Sequence, residues 1–187
     1  MALLVGAALS LAGAEMQTVL NNPLASPFTL GIGAAATLGA SLVIVLNVSL
    51  FGLGPQLMLP LAAFIGAALS CGLLLLVARA LGTAVHTLVL FGIALLFGLN
   101  ALVGTLQFIA DADALQQIVF WTLGSLARAD LPKVALVALV LALCLAMAMA
   151  QAWQLTTLRA GEEQARSLGI RVGRLRTLAL LRVSLLT

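Results

Sequence analysis

Hydrophobic positions in this chain come in long, nearly unbroken runs, with no sustained alternation of apolar and polar residues. A run of about 20 apolar residues, at 1.5 Å rise each, matches the roughly 30 Å hydrocarbon core of a bilayer. The pattern predicts nearly complete spans at about Ala2–Leu20, Thr29–Leu50, Leu57–Ala78, Val85–Ile109 and Val134–Leu155, and the start of another from Leu175. Breakers fall between them: Asn21-Asn22-Pro23 with Pro27, Gly52-Leu53-Gly54-Pro55, Gly82, and Asp130-Leu131-Pro132. The predicted class is all-α, a polytopic transmembrane helical bundle of about five full spans and one partial span. Without period-2 alternation a transmembrane β-barrel is disfavoured.

Two stretches break the apolar pattern. Residues 111–126 open with Asp111 and Asp113 in a first turn, continue with apolar residues at helical spacing, and reach Gly124. They predict a helix lying at the membrane interface, with Phe120 and Trp121 near the headgroups. It could cap a translocation path or simply anchor. The second is 158–172: seven of the chain's fifteen charged residues fall between Arg159 and Arg176. Gly161 precedes Glu162 and Glu163, acids at a helix start, and Gly169 follows Leu168 as a helix stop. Glu162 and Arg166 sit at i,i+4, and Ala165 and Leu168 are expected to form a small apolar face. This predicts a short amphipathic helix between two spans, either a solvated loop or a docking element for a cytosolic motor.

Composition supports the membrane reading: 63% of the 187 residues are hydrophobic and 8% charged, against about 25% charged in a typical soluble domain. Mean hydropathy is +1.22. The net charge of +3 is better read as topology than as affinity for nucleic acid. Loops on one side carry Arg79, Arg159, Arg166, Arg171, Arg174 and Arg176, and loops on the other carry Arg128 and Lys133, diluted by Asp111, Asp113 and Asp130. Basic residues favour the cytosolic side, so 158–172 is expected in the cytosol and 111–126 outside. The chain opens and closes in mid-hydrophobic sequence, which suggests a piece of a longer membrane protein.

Candidate chemistry is sparse. The sequence has no GxxxxGK[ST] phosphate loop, no paired carboxylates within a span, no HExxH and no Cys/His cluster, so no catalytic, cofactor-binding or metal residues are assigned. His86 and Ser125 are expected on opposite membrane faces, which argues against a serine hydrolase. Cys71 and Cys144 lie inside spans and read as small packing residues. Glu15 is read as the one acid within a span, close enough to its end to reach water. Asn100 and Gln107, two turns apart, could line a path or bond across helices. The small residues Gly31, Gly33, Gly39, Gly92, Gly98 and Gly104 suit close helix approach in lipid.

Several segments carry a resemblance. Gly6-Ala-Ala-Leu-Ser-Leu-Ala-Gly13, Met16-Gln17, Asn22-Pro-Leu-Ala-Ser-Pro-Phe-Thr-Leu-Gly31, Trp121-Thr-Leu-Gly-Ser125 and Gly161-Glu-Glu-Gln-Ala-Arg-Ser-Leu-Gly169 resemble, in order and spacing, the permease subunits of the bacterial iron-siderophore and vitamin B12 ABC importers. The resemblance implies a ten-span permease working as a homo- or heterodimer in the bacterial inner membrane. Its partners would be a cytosolic ATP-binding cassette subunit, which would do any ATP hydrolysis, and an external substrate-binding protein. It also implies that Gly161, Glu162, Glu163, Arg166, Leu168 and Gly169 couple to the ATPase, and that Asn22, Pro23 and Pro27 form a family turn. The Ser26-Pro27-Phe28-Thr29 wording is closer to the iron-chelate branch; cobalamin and haem are the alternative cargoes, and a non-transporting fragment is the alternative role. Glu15 stands where the family usually has a small or apolar residue. The chain would cover roughly the second span to the start of the seventh.

Overall fold

The computed structural model describes residues 1–47, 54–80, 85–126 and 129–187, except for the side chains of Pro55, Gln56, Ala78, Arg79, Val85, His86 and Leu88. The breakers at Gly52, Leu53 and Gly82, the loop charge Arg128, and the side chains of Arg79 and His86 therefore lie outside the described residues. Among those described there are nine helices: α1 (Ala2–Leu20), α2 (Ile32–Leu46), α3 (Pro55–Ala80), α4 (Val85–Ile109), α5 (Ala112–Leu123), α6 (Leu131–Ala150), α7 (Ala152–Ala160), α8 (Glu162–Ser167) and α9 (Val172–Leu186). Four of them, α1, α3, α4 and α6, are long and apolar enough to cross a membrane; α2 is a shorter apolar helix.

The differences from the predicted spans have local causes. α2 begins at Ile32, because Pro27 to Leu30 form a separate turn. The Ile32 and Gly31 amides donate to the Pro27 and Phe28 carbonyls at 3.1 and 3.2 Å, and Gly31 takes φ 78°, where a side chain would be strained. α6 starts at Leu131 rather than beyond Pro132, since proline is tolerated in a first helical turn. Asp130 caps it by accepting from the Lys133 amide at 3.0 Å. The run expected to continue to Leu155 is interrupted at Gln151, with φ −104° and ψ 5°, and resumes as α7. α5 has the predicted N-terminus, Asp111 accepting from the Ala114 amide at 2.7 Å.

Packing follows residue size. α2 and α3 touch most closely: a Cβ added to Gly39 would lie 2.2 Å from the Ala62 carbonyl oxygen, and one added to Gly66 2.2 Å from that of Ala35. Ala35 and Gly39 on α2, and Ala62 and Gly66 on α3, are small-xxx-small pairs that bring two backbones together in lipid. The turn before α2 seats on α4, where Leu30 covers Gly92 and Gly31 abuts the Leu96 backbone. Gly98 and Gly104 have nothing within 4 Å of an added Cβ, so close approach explains only part of the small-residue stripe.

α9 packs against both α1 and α3. Its buried positions Val172, Leu175, Ala179, Arg182 and Leu186 recur at alternating spacings of three and four, as do Ala8, Ala12, Glu15 and Val19 on α1. The main core joins Ala8, Ala12, Met16 and Leu20 of α1 and Leu180, Val183 and Leu186 of α9 to Leu30, Ala67, Leu74 and the free, buried Cys71 and Cys144.

Candidate functional site

The charged segment after α7 folds as a short helix with a defined inner and outer side. α8 ends in a Schellman motif: the Ile170 amide donates to the Ala165 carbonyl and the Gly169 amide to that of Arg166, both at 3.0 Å, with Gly169 at φ 80°. Ala165 is fully buried and forms a satellite core with Leu158, Val172 and Leu175, against which Ile170 packs. Leu168 does not share that apolar face. It is 62% exposed, because the helix stop turns it to the other side. Glu163, Gln164, Arg166, Ser167 and Gly169 are exposed with it.

Glu162 is an internal strut. One carboxylate oxygen accepts from Arg166 at 2.6 Å, and the other from Arg176 at 2.9 Å. Partial burial works against its charge, but the Arg176 and Arg166 guanidiniums outweigh that and hold the carboxyl below its ordinary value. Arg176 also donates from Nε to the Val19 carbonyl at 3.3 Å, one of the carbonyls left without an intrahelical partner at the end of α1. α8 is thereby tied to α9 and α1.

A second tie lies deeper. Arg182 Nε donates to both oxygens of Glu15, at 2.8 and 3.1 Å, and its Nη1 donates to Gln151 Oε1 at 2.9 Å. The two side chains are 2% and 3% exposed, so Glu15 does not reach water as expected; the ion pair holds it inside the bundle. Neither Arg182 nor this role of Arg176 is among the residues expected from the sequence. The signal was present: Arg182 occupies a core-facing position in the apolar stripe of α9, opposite a lone acid in the stripe of α1.

The remaining predicted residues fall elsewhere. Asn22 continues the stop of α1, its amide donating to the Gln17 carbonyl at 3.0 Å while its side chain accepts from the Leu24 amide at 2.9 Å. Pro23 and Pro27 each open a turn, and Ser26 and Thr29 cap each other's amides at 3.1 Å. Asn100 is exposed on α4 and Gln107 half-buried one heptad on, neither joined to the α8 cluster. At the α5 end, Gln117, Trp121, Ser125 and Lys133 line a cavity of about 500 Å³.

The model of the FecCD transport family matches residues 1–187. The chain belongs to that family. This FecCD-family chain is 36% identical to a protein of Methanocaldococcus jannaschii provisionally named an ABC transporter permease, covering 100% of this chain and 55% of the relative. It is 38% identical to a Helicobacter pylori protein named a probable iron chelatin transport system permease, covering 98% and 54%. A solved, provisionally assigned metal-chelate-type ABC transporter in an inward-facing conformation matches with a TM-score of 0.83 at 30% identity, over 99% of this chain and 58% of that one. Further relatives are named for haemin, vitamin B12, ferric enterobactin and molybdate import. The chain thus spans about half the length of the curated relatives it matches. The family and the apolar helices agree with a multi-pass membrane permease of an ABC importer type.

Proposed function

We infer that this chain works as part of the permease subunit of an ATP-driven importer, with a ferric chelate as cargo. The observation that carries the reading is α8. It is a short helix clamped on its inner side to α9 and α1, and it presents Glu163, Gln164, Ser167 and Leu168 outward between α7 and α9. An exposed leucine on a fixed mount, ringed by polar groups, suits a groove on an aqueous partner. That partner is a cytosolic ATP-binding cassette subunit, and the excess of arginine around α8 supports the cytosolic side.

In this orientation the cavity beside Trp121 and Lys133 faces outward, toward a substrate-binding protein. The weakly buried face of α4, with Asn100 and Gln107, is available to a second permease subunit and to the path between the two. The membrane is the bacterial inner membrane. The iron-chelate preference rests on Ser26-Pro27-Phe28-Thr29 and on the relatives named for iron chelates; relatives named for vitamin B12 and haemin support the other cargoes.

The test separates the outward residues from the strut. The protein is co-purified with the ATPase subunit of the same source, as wild type and as Glu163→Lys with Leu168→Asp. Capture by the wild type and at least tenfold weaker capture by the variant are expected. Equal capture by both, or none by either, removes α8 as the docking element.

A further inference from the structure

Two arginines on α9 hold the α7–α8 arm, one at its start and one where α8 begins. At the start of the arm Gln151 accepts from Arg182 at 2.9 Å, and at the first residue of α8 Glu162 accepts from Arg176 at 2.9 Å. Each arginine also grips α1, Arg182 through Glu15 and Arg176 through the Val19 carbonyl. Glu15 and Val19 are one turn apart on a single face of α1. The tie at Glu162 is partly exposed, whereas the one at Glu15 is enclosed in the apolar core.

The inner tie sits where an arm would flex. The helical rod of α6 and α7 is interrupted at Gln151, and Arg182 holds the side chain at that interruption. Stability alone is a poor reason for the ion pair, since well-packed apolar residues of similar volume commonly serve as well or better. The guanidinium supplies something apolar packing lacks: a planar fork with one nitrogen set toward α1 and another toward the α6–α7 break.

We propose that Arg182 is a positioning residue of the transport cycle. With Glu15 and Gln151 it locks the α6–α7 break, so that the arm, α9 and α1 move as one body and a displacement imposed on α8 reaches α1. This rests on the importer reading above.

Spin labels on cysteines replacing the exposed Ser10 (α1) and Thr156 (α7), both away from the docking face of α8, measure the unit directly, because Cys71 and Cys144 are buried. The protein is reconstituted with its ATPase subunit in proteoliposomes, with a radiolabelled ferric trihydroxamate as probe and ATP consumption followed in parallel. Gln151→Leu removes the link to the break while leaving the Glu15–Arg182 pair intact. It is expected to broaden the interspin distance distribution at least twofold and to lower uptake per ATP several-fold. Arg182→Lys, which keeps the charge without the fork, should do the same, and the inverted pair Glu15→Arg with Arg182→Glu should restore part of the loss. A distribution and an uptake-to-ATP ratio for Gln151→Leu equal to wild type overturn the proposal. If the wild type shows no ATP-driven uptake, the importer reading fails separately, and the distance distributions alone decide whether the unit is rigid.

Discussion

Arg182 and Glu15 carry an asymmetry that mutation exposes. Removing one partner of a buried ion pair strands the other charge, at about 3–5 kcal/mol. A stranded carboxylate can take up a proton, but a guanidinium stays charged at any relevant pH. Glu15→Leu is therefore expected to cost most, about 3–5 kcal/mol, and Arg182→Met less, with the double variant recovering to near wild type. Thermal unfolding in detergent, followed by helical circular dichroism, checks the order; equal losses in the two single variants would contradict it. Position along the span alone puts Glu15 within reach of water, but the face of the helix it occupies, set by the stripe it shares with Ala8, Ala12 and Val19, turns it inward.

At the scale of elements, the seat of α8 depends on Glu162. Its carboxyl is held below the ordinary value of 4.5. The stabilisation this represents is present above that value and is lost as pH falls through the lower folded one. Amide exchange across Glu162 to Ser167, corrected for intrinsic rates, should show protection at about pH 7 that is reduced near pH 3. Protection that does not change would mean that the satellite core around Ala165 alone seats the helix. The α2–α3 contact makes a second prediction. Gly39→Ala drives a Cβ into a backbone carbonyl and is expected to destabilise by about 1–3 kcal/mol. Gly104→Ala meets nothing within 4 Å and should leave stability unchanged or raised by up to about 1 kcal/mol through helix propensity. Chemical denaturation of the two variants in the same micelle compares them. Both glycines belonged to one small-residue pattern in the sequence, yet only the fold separates the one that meets a backbone from the one that does not.

For the whole molecule, the arrangement joins a tightly packed group, α1, α9 and the α7–α8 arm, to helices whose apolar faces are largely uncovered. Only 11% of the spanning windows of α4 and α6 is buried within this chain, against 33% for α1. Surfaces of that kind need lipid or further helices to cover them. Reconstitution should show it: with lipid-soluble photolabels, exposed α4 positions such as Phe97 are expected to label strongly, and core positions such as Leu180 weakly. Equal labelling would mean that the helices pack differently in a bilayer.

Much of this molecule follows from sequence alone. Run length against bilayer thickness gives helices α1, α3, α4 and α6, because an apolar segment in lipid must satisfy its own backbone. Acids at or just after a helix start mark the beginnings of α5 and α8, and the glycine at 169 gives the helix stop, because those effects act over three or four residues. Side-chain assignments across helices were not available from the same rules. Leu168 turns outward and Ala165 inward because the Schellman turn and the satellite core act together. Arg182 finds Glu15 and Gln151, 167 and 31 residues away, because three helices meet there. Spacing along one helix can mark such residues as facing the core, but their partner is chosen only when the helices pack.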